Sequence, residues 1–231
     1  MGQPKRALLK LSGESLCNQF GIDQTRTQSV VKLIQRFKSA DWQLSIVIGG
    51  GNWIRGKQTE GIDRTIADQM GMLATVMNGQ LLQSFLLNSG IPCKVFSSFK
   101  TLGVDTWDYH HANQCLDEGN ILLFVGGTGN PYFSTDSCAA LRAIQIKASV
   151  LLKATTVDGI YDKDPNVYAE AKRYDSLTFD EAIRQNLQVM DITAFDLCRS
   201  HNLPIQVFDM RSLASIEAII AGKMVGTLVT A

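Results

Sequence analysis

The chain has 231 residues, with 22 Lys and Arg against 22 Asp and Glu, so its formal net charge is zero. That balance excludes a general nucleic-acid binder, an acidic tail and a polybasic membrane anchor, each of which needs an excess of one sign. Hydrophobic residues at 45% and charged residues at 19% exclude disorder and suit a well-buried core at this length.

In chain order, the apolar run Ala7–Leu11 predicts a first strand. Val30, Val31, Ile34 and Phe37 then keep helical spacing, ahead of a second strand at Leu44–Ile48. Ile66, Met70, Leu73, Met77 and Leu81 carry an apolar stripe along a long helix. Its Met70, Met72 and Met77, with Gly71 and Gly79 between, fit either a core helix or a subunit interface. Further strands are expected at Cys93–Phe96, Ile121–Val125 and Val150–Lys153, with a helical stretch from Ser137 to Lys147 before the last. Thr178 and Glu181 have capping-box spacing and open a helix near Phe179. Strands at Ile205–Phe208 and Thr227–Val229 follow, and Gly222 sits where a C-terminal cap ends the last helix. Most of the strands are apolar throughout, as in a parallel sheet covered on both faces. The β-α-β-α order predicts an open α/β sandwich in one domain.

Five scattered cysteines without a C-x-x-C pair read as reduced thiols. The longest clean apolar run, Ile121–Val125, is far too short to span a bilayer, and Met1 to Leu9 holds no secretory apolar region. A cytoplasmic protein without a membrane segment is expected.

In open α/β sheets, ligands bind at the carboxyl ends of the strands. Four unusual loops fall there: Lys10 to Glu14, Ile48 to Asn52 running on to Arg55 and Gly56, Val125 to Ser137, and Lys153 to Pro165. In the first three, glycine amides and helix N-termini suit phosphate oxygens, and Lys10 and Arg55 add full charges. Gly51 to Lys57 matches seven positions of a Walker A loop, but Gln58 stands where Mg²⁺ binding needs Ser or Thr. The G-x-G-x-x-G pattern also fails, with Ile54 and Tyr132 at the sixth positions. His110 and His111 lack a carboxylate at ligand spacing and read as a solvated helix face, and His201 reads as a helix C-cap. Asp158, Asp162 and Asp164 lack the twelfth-position Glu of a calcium loop. Ser134, Thr135 and Ser137 lack a histidine partner, so a hydrolase triad has no support.

Taken together, Leu9 to Glu14, Val47 to Asn52 with Arg55 and Gly56, Asp68 to Asn78, Gly127 to Pro131, Thr135 to Ser137 and Leu152 to Thr155 with Val157 to Gly159 resemble the amino acid kinase family. Within it, the Thr-Gly-Asn-Pro loop and the Met-rich helix are similar to the bacterial branch that phosphorylates UMP. The resemblance runs from about Arg6 to Thr230. It implies a three-layer αβα sandwich with a central, mostly parallel sheet in a single domain over 1–231. The acceptor half would be about 1–147 and the ATP half about 148–231.

The implied reaction is reversible transfer of the ATP γ-phosphoryl to UMP, giving UDP and ADP, in pyrimidine nucleotide biosynthesis. By resemblance, Lys10, Arg55 and Asp136 are catalytic. ATP falls to Lys10, Leu11, Ser12, Gly13, Gly51, Arg55, Thr155, Tyr161 and Asp164. UMP falls to Gly50, Asp68, Thr128, Gly129, Asn130, Pro131, Tyr132, Phe133, Ser134 and Thr135. On spacing alone, Asp68 suits either ribose hydroxyls or a helix-face salt bridge. Mg²⁺ would be held mainly by nucleotide phosphates and water, with no dedicated protein site. A homohexamer built from dimers and feedback inhibition by UTP are also implied.

Leu16 to Asp23 is shorter than in many relatives and lacks their acidic, glycine-rich stretch, which relatives use in GTP activation, so the resemblance leaves GTP activation open. Tyr132 and Ser134 replace the usual Phe and Thr, keeping a ring and a hydroxyl. The readings weighed against this one are a uridine-nucleotide sensor and a family member acting on a carboxylate or carbamate.

Overall fold

Ala7, Leu9 and Leu11 of the first strand, β1 (Arg6–Leu11), pack into one hydrophobic core, while Leu8 between them packs into a second. A strand apolar on both faces has to be covered on both, and this alternation sets the layers of the molecule. The computed structural model describes residues 5–18, 21–54, 61–187 and 189–231.

After β1 come the short antiparallel partners β2 (Cys17–Asn18) and β3 (Gly21–Ile22), then helix α1 (Gln24–Ser39) and strand β4 (Gln43–Ile48). The long α2 (Arg64–Asn88) leads to β5 (Cys93–Ser97), β6 (Asp105–Thr106), α3 (Tyr109–Asp117) and β7 (Ile121–Val125). Next are α4 (Thr135–Gln145), β8 (Val150–Thr155) and the small ribbon of β9 (Ile160–Tyr161) with β10 (Arg173–Tyr174). The chain ends through β11 (Ser176–Thr178), α5 (Phe179–Arg184), α6 (Ile192–Ser200), β12 (Ile205–Asp209), α7 (Leu213–Ile220) and β13 (Thr227–Thr230).

The main sheet has nine strands in the order β11-β13-β12-β8-β1-β4-β7-β5-β6, parallel except where β12 meets β13. One core joins it to α1, α2 and α7, and the other to α3, α4, α5 and α6, so the molecule is a three-layer αβα sandwich. The strands run outward from β1 in both directions, with β4 on one side and β8 on the other. A reversal of this kind opens a crevice beyond the carboxyl ends of the strands.

The local signals in the sequence resolve as expected at several ends. Thr178 and Glu181 form the capping box of α5, and Gly222, with φ +75°, terminates α7. His201 caps α6 and its Nδ1 lies 3.0 Å from the Leu197 carbonyl. The five cysteines are buried and unpaired. No helix among the described residues is long and apolar enough to cross a membrane.

Helix α2 corrects the core reading of its stripe. Ile66, Met70, Leu73 and Met77 are 49, 42, 51 and 51% exposed, and the buried face instead holds Ala67, Ala74, Val76, Gly79 and Leu82. The cause is the closeness of the helix to the sheet. A Cβ on Gly50 would sit 2.4 Å from the Gly71 carbonyl oxygen, and one on Gly79 2.4 Å from a Val125 methyl. At these two contacts only glycine fits, and the stripe carrying Met70 and Met77 turns outward, while Met72 lines the first cavity described below.

Candidate active site

Two cavities open over the carboxyl ends of the strands. One, of about 540 Å³, is lined by Gly50, Gly51, Asp68, Gly127, Tyr132 and Thr135 among others. The other, of about 530 Å³, is lined by Lys153, Thr155, Gly159, Tyr161 and Asp164. Of the residues expected to hold ATP, Thr155, Tyr161 and Asp164 line the second cavity and Gly51 the first, while Lys10, Leu11, Ser12 and Gly13 line neither.

Asp136 itself lines a third cavity, of about 440 Å³, together with Met190 and Asp191, and stands next to residues of both others. Its neighbours Thr135 and Ser137 are on the wall of the first cavity, and its ion-pair partner Lys153 is on the wall of the second. Lys153 Nζ donates to Asp136 Oδ2 at 2.8 Å, and Lys10 Nζ is 2.9 Å from Oδ1. The two lysines are direct register partners on the parallel strands β1 and β8, so they share one face. Asp136 reaches them from the first turn of α4, where Ser134 Oγ accepts hydrogen bonds from the Asp136 and Ser137 amides.

The charges set one another's protonation. Burial alone would raise the Asp136 pKa, but Lys10 and Lys153 outweigh it and hold the carboxyl below its ordinary range. Burial, aided by Lys10, pushes Lys153 down to about 8 against the opposing pull of Asp136 and Asp191. Asp136 Oδ1 is buried and, apart from its ion pair, accepts no hydrogen bond. Among the described residues no group of three or more His, Cys, Asp or Glu could hold a metal alone.

The first two loops interlock. The Gly49 amide donates to the Leu11 carbonyl at 2.9 Å, and a Cβ on Gly13 would meet Asn52 Oδ1 at 1.8 Å. Ser12 precedes a single 3-10 turn, Gly13–Ser15, that holds this approach. Behind them Asn78 of α2, 1% exposed, donates to the Gly49 carbonyl and to Asn52 Oδ1, both at 2.8 Å. Its own Oδ1 accepts from Asn52 and from the Trp53 indole. Arg55, with Gly56, lies outside the described residues.

In the first cavity Asp68 does two things at once. Its Oδ2 accepts from Arg64 Nε and from the Tyr132 amide, each at 2.8 Å, so the helix-face salt bridge exists and also fixes the aromatic loop. Tyr132 has φ +71°, and the Arg64 guanidinium is 5.4 Å from its ring centre. Asn130, Phe133 and Ser134 line the same space. Thr128, Gly129 and Pro131 do not, and Thr128 Oγ1 closes the turn on Asn130. Gly51, expected near the transferred phosphoryl, lies on this wall beside Gly50.

In the second cavity Thr155 Oγ1 accepts from the Val157 amide, and Asp164 Oδ1 accepts from the Asn166 amide. The Tyr161 hydroxyl donates to Asp158 at 2.6 Å.

Three site residues received no role from the sequence. Lys153 had one signal, a lone cation inside the strand Val150–Thr155. Asp191 caps α6 and accepts hydrogen bonds from Ser134 and Ser137 across the cavity floor. Arg64 was signalled only by its spacing from Asp68.

Glycine loops at a sheet reversal, with two lysines sharing one aspartate between two cavities, define a phosphoryl-transfer fold. Residues 5–209 match the amino acid kinase family, and the chain belongs to it. Among curated relatives, the uridylate kinase of Psychrobacter sp. is 47% identical over 98% of this chain and 97% of its own. That of Alcanivorax borkumensis is 45% identical over 98% and 92%. The crystal structure of UMP kinase from Bacillus anthracis superposes with a TM-score of 0.94 at 36% identity, covering 98% of this chain and 96% of that one. The UMP kinase structure from Ureaplasma parvum gives 0.92 at 34%, with both chains fully covered.

Proposed function

We propose that this chain is a UMP kinase, transferring the γ-phosphoryl of ATP to UMP to give UDP and ADP, reversibly, in cytoplasmic pyrimidine nucleotide synthesis. The observation that carries the reading is Asp136, whose neighbours line one cavity while its partner Lys153 lines the other. The agreement with uridylate kinases along nearly the whole chain supports UMP as the acceptor.

Residues 1–147 would carry the acceptor and 148–231 the ATP. Lys10 and Lys153 present two ammonium groups where charge builds on the moving phosphoryl, and Asp136 keeps them apart and aimed. By the family resemblance Arg55 would add a third cation. Mg²⁺, carried by the nucleotide phosphates and water, supplies further charge neutralisation. No general base is required, because an acceptor phosphate with a second pKa of about 6 is already ionised at neutral pH. Asp68 and the Tyr132 loop would hold the nucleoside, with Gly50 and Gly51 on the same cavity wall.

The exposed stripe Ile66, Met70, Leu73 and Met77 supports assembly of dimers into a homohexamer, since a lone chain leaves this apolar face in water. UTP, which shares the uracil and ribose of UMP, would inhibit.

Coupled ADP release, measured with UMP, CMP, dUMP, glutamate and carbamate as acceptors, tests the reading. UMP should be turned over well above the rest. Equal turnover of CMP would remove the base specificity, and turnover of glutamate or carbamate instead would reassign the acceptor.

A further inference from the structure

Arg142 is 4% exposed, yet no carboxylate lies within ion-pair distance of it among the described residues. It projects from α4 between aromatic rings, its guanidinium 4.3 Å from the centre of Trp107 and 5.9 Å from that of Phe124. Nη1 donates to Gln145 Oε1 at 2.7 Å and Nη2 to Ser98 Oγ at 2.8 Å. Ser98 Oγ in turn donates to the Gly127 carbonyl at 2.5 Å. Burial lowers the Arg142 pKa from its ordinary 12.5. An arginine stays charged even so, and an uncompensated buried cation is costly to keep.

The position of that chain of hydrogen bonds accounts for the cost. Gly126, Gly127 and Gly129 all have positive φ and form the turn that backs the acceptor cavity. Ser98 packs directly under it: a Cβ on Gly129 would lie 3.3 Å from both the Cβ and the carbonyl oxygen of Ser98. The other clamp on the turn is Thr75 of α2, whose Oγ1 accepts from the Gly126 amide at 2.7 Å. A hydroxyl that accepts from a cation is polarised and donates more strongly, so the charge on Arg142 tightens the Ser98 grip on Gly127. The Trp107 ring packs against the guanidinium that reaches Ser98.

We infer that Arg142 is a positioning residue for the acceptor site, acting through Ser98 to fix the Gly126–Gly129 turn on which the acceptor rests. This deepens the UMP kinase reading and rests on it for the identity of the acceptor. Helix α4 then serves the reaction at two places, presenting Asp136 from its first turn and securing the acceptor wall from its last.

The variants are Ser98→Ala, Arg142→Lys and the pair together. Ser98→Ala leaves the guanidinium on its rings and cuts only the link to Gly127, so it guards against a fold lost with Arg142. The KM for UMP should rise about tenfold in each single variant, the size expected for one charge-assisted hydrogen bond. The KM for ATP should stay within about twofold. Because both residues act in one chain, the double variant should be no worse than the worse single one.

Hydrogen exchange of ligand-free protein gives the second readout. The amides of 126–130 should exchange faster in every variant, and those of 49–53 at the wild-type rate. Additive effects on UMP KM, equal losses for ATP and UMP, or unchanged exchange at 126–130 would each overturn the inference. If wild-type protein failed to phosphorylate UMP, the proposed function would fall, and the exchange comparison would still decide the role of Arg142.

Discussion

Lys10 and Lys153 stand directly opposite each other on neighbouring parallel strands, on the same face, with one carboxylate between them. Two ammonium groups so placed repel, and Asp136 is what makes the arrangement tolerable in a buried site. The same repulsion recruits negative charge once a nucleotide arrives. The cluster is therefore poised for phosphoryl groups and uneasy without them.

The first consequence is pH dependence. Lys153 is held near pKa 8, below its ordinary 10.5, so its positive charge is lost as pH rises through about 8. Turnover should decline along that limb. Stability runs the other way for this group: between the two values the unfolded chain binds more protons, so its contribution grows with pH and is lost as pH falls through 8. A kcat profile from pH 6.5 to 10 for wild type and Lys153→Arg checks this. The Arg variant, charged throughout, should lack the limb; an identical limb in both proteins would assign it to another group.

Asp136→Asn leaves two buried ammonium groups without the carboxylate between them. Loss of about 3–5 kcal/mol is expected from breaking such a buried pair. Denaturant midpoints measure it. Turnover should drop by about 10²–10³, the range for removing one preorganised electrostatic contact. An Asp136→Asn protein as active as wild type would mean the lysines need no organiser.

Asn78→Asp keeps the size of a 1% exposed side chain but removes its two donated hydrogen bonds to Gly49 and Asn52. Stability should fall by about 1–3 kcal/mol, the cost of leaving buried acceptors unsatisfied. The KM for ATP and for UMP should rise together, because the strand-end loops holding Gly13 and Gly50 share this anchor. A shift in melting temperature with both KM values unchanged would make Asn78 a packing residue alone.

Leu73→Glu with Met77→Glu places charge on the exposed stripe of α2. If the proposed homohexamer uses this stripe, light scattering should show it reduced to smaller species, while circular dichroism keeps the native helix content. A mass equal to wild type would locate the subunit contacts elsewhere.

The parallel strands were legible because continuous apolar runs such as Ile121–Val125 have few other readings. The short pairs β2–β3 and β9–β10 were not, being only two residues each with little apolar signal. The α2 stripe was visible as a pattern but not as a direction. Periodicity finds an apolar face and says nothing of a second face made of Ala, Thr and Gly, which packs closer. The same limit applied to the site. Lys10, Asp136 and the glycine loops were readable from strand ends and family resemblance. Lys153 counts only because β1 and β8 are neighbours, and Asp191 only because α6 packs on α4. Arg142, a lone cation in the run Cys138 to Ala143, was visible in the sequence, but its partners Ser98 and Trp107 come from another part of the chain.

The most direct test of the central claim joins product formation to acceptor binding in Lys10→Met. Wild-type protein should form UDP from UMP and ATP. The variant should lose at least about a hundredfold in turnover, as expected for a charge that acts mainly in the transition state. Its Kd for UMP, measured by calorimetry, should stay within about twofold, because the role proposed for Lys10 is on the moving phosphoryl rather than the nucleoside. No UDP from the wild type, or a UMP affinity that falls as far as turnover does, would contradict the account.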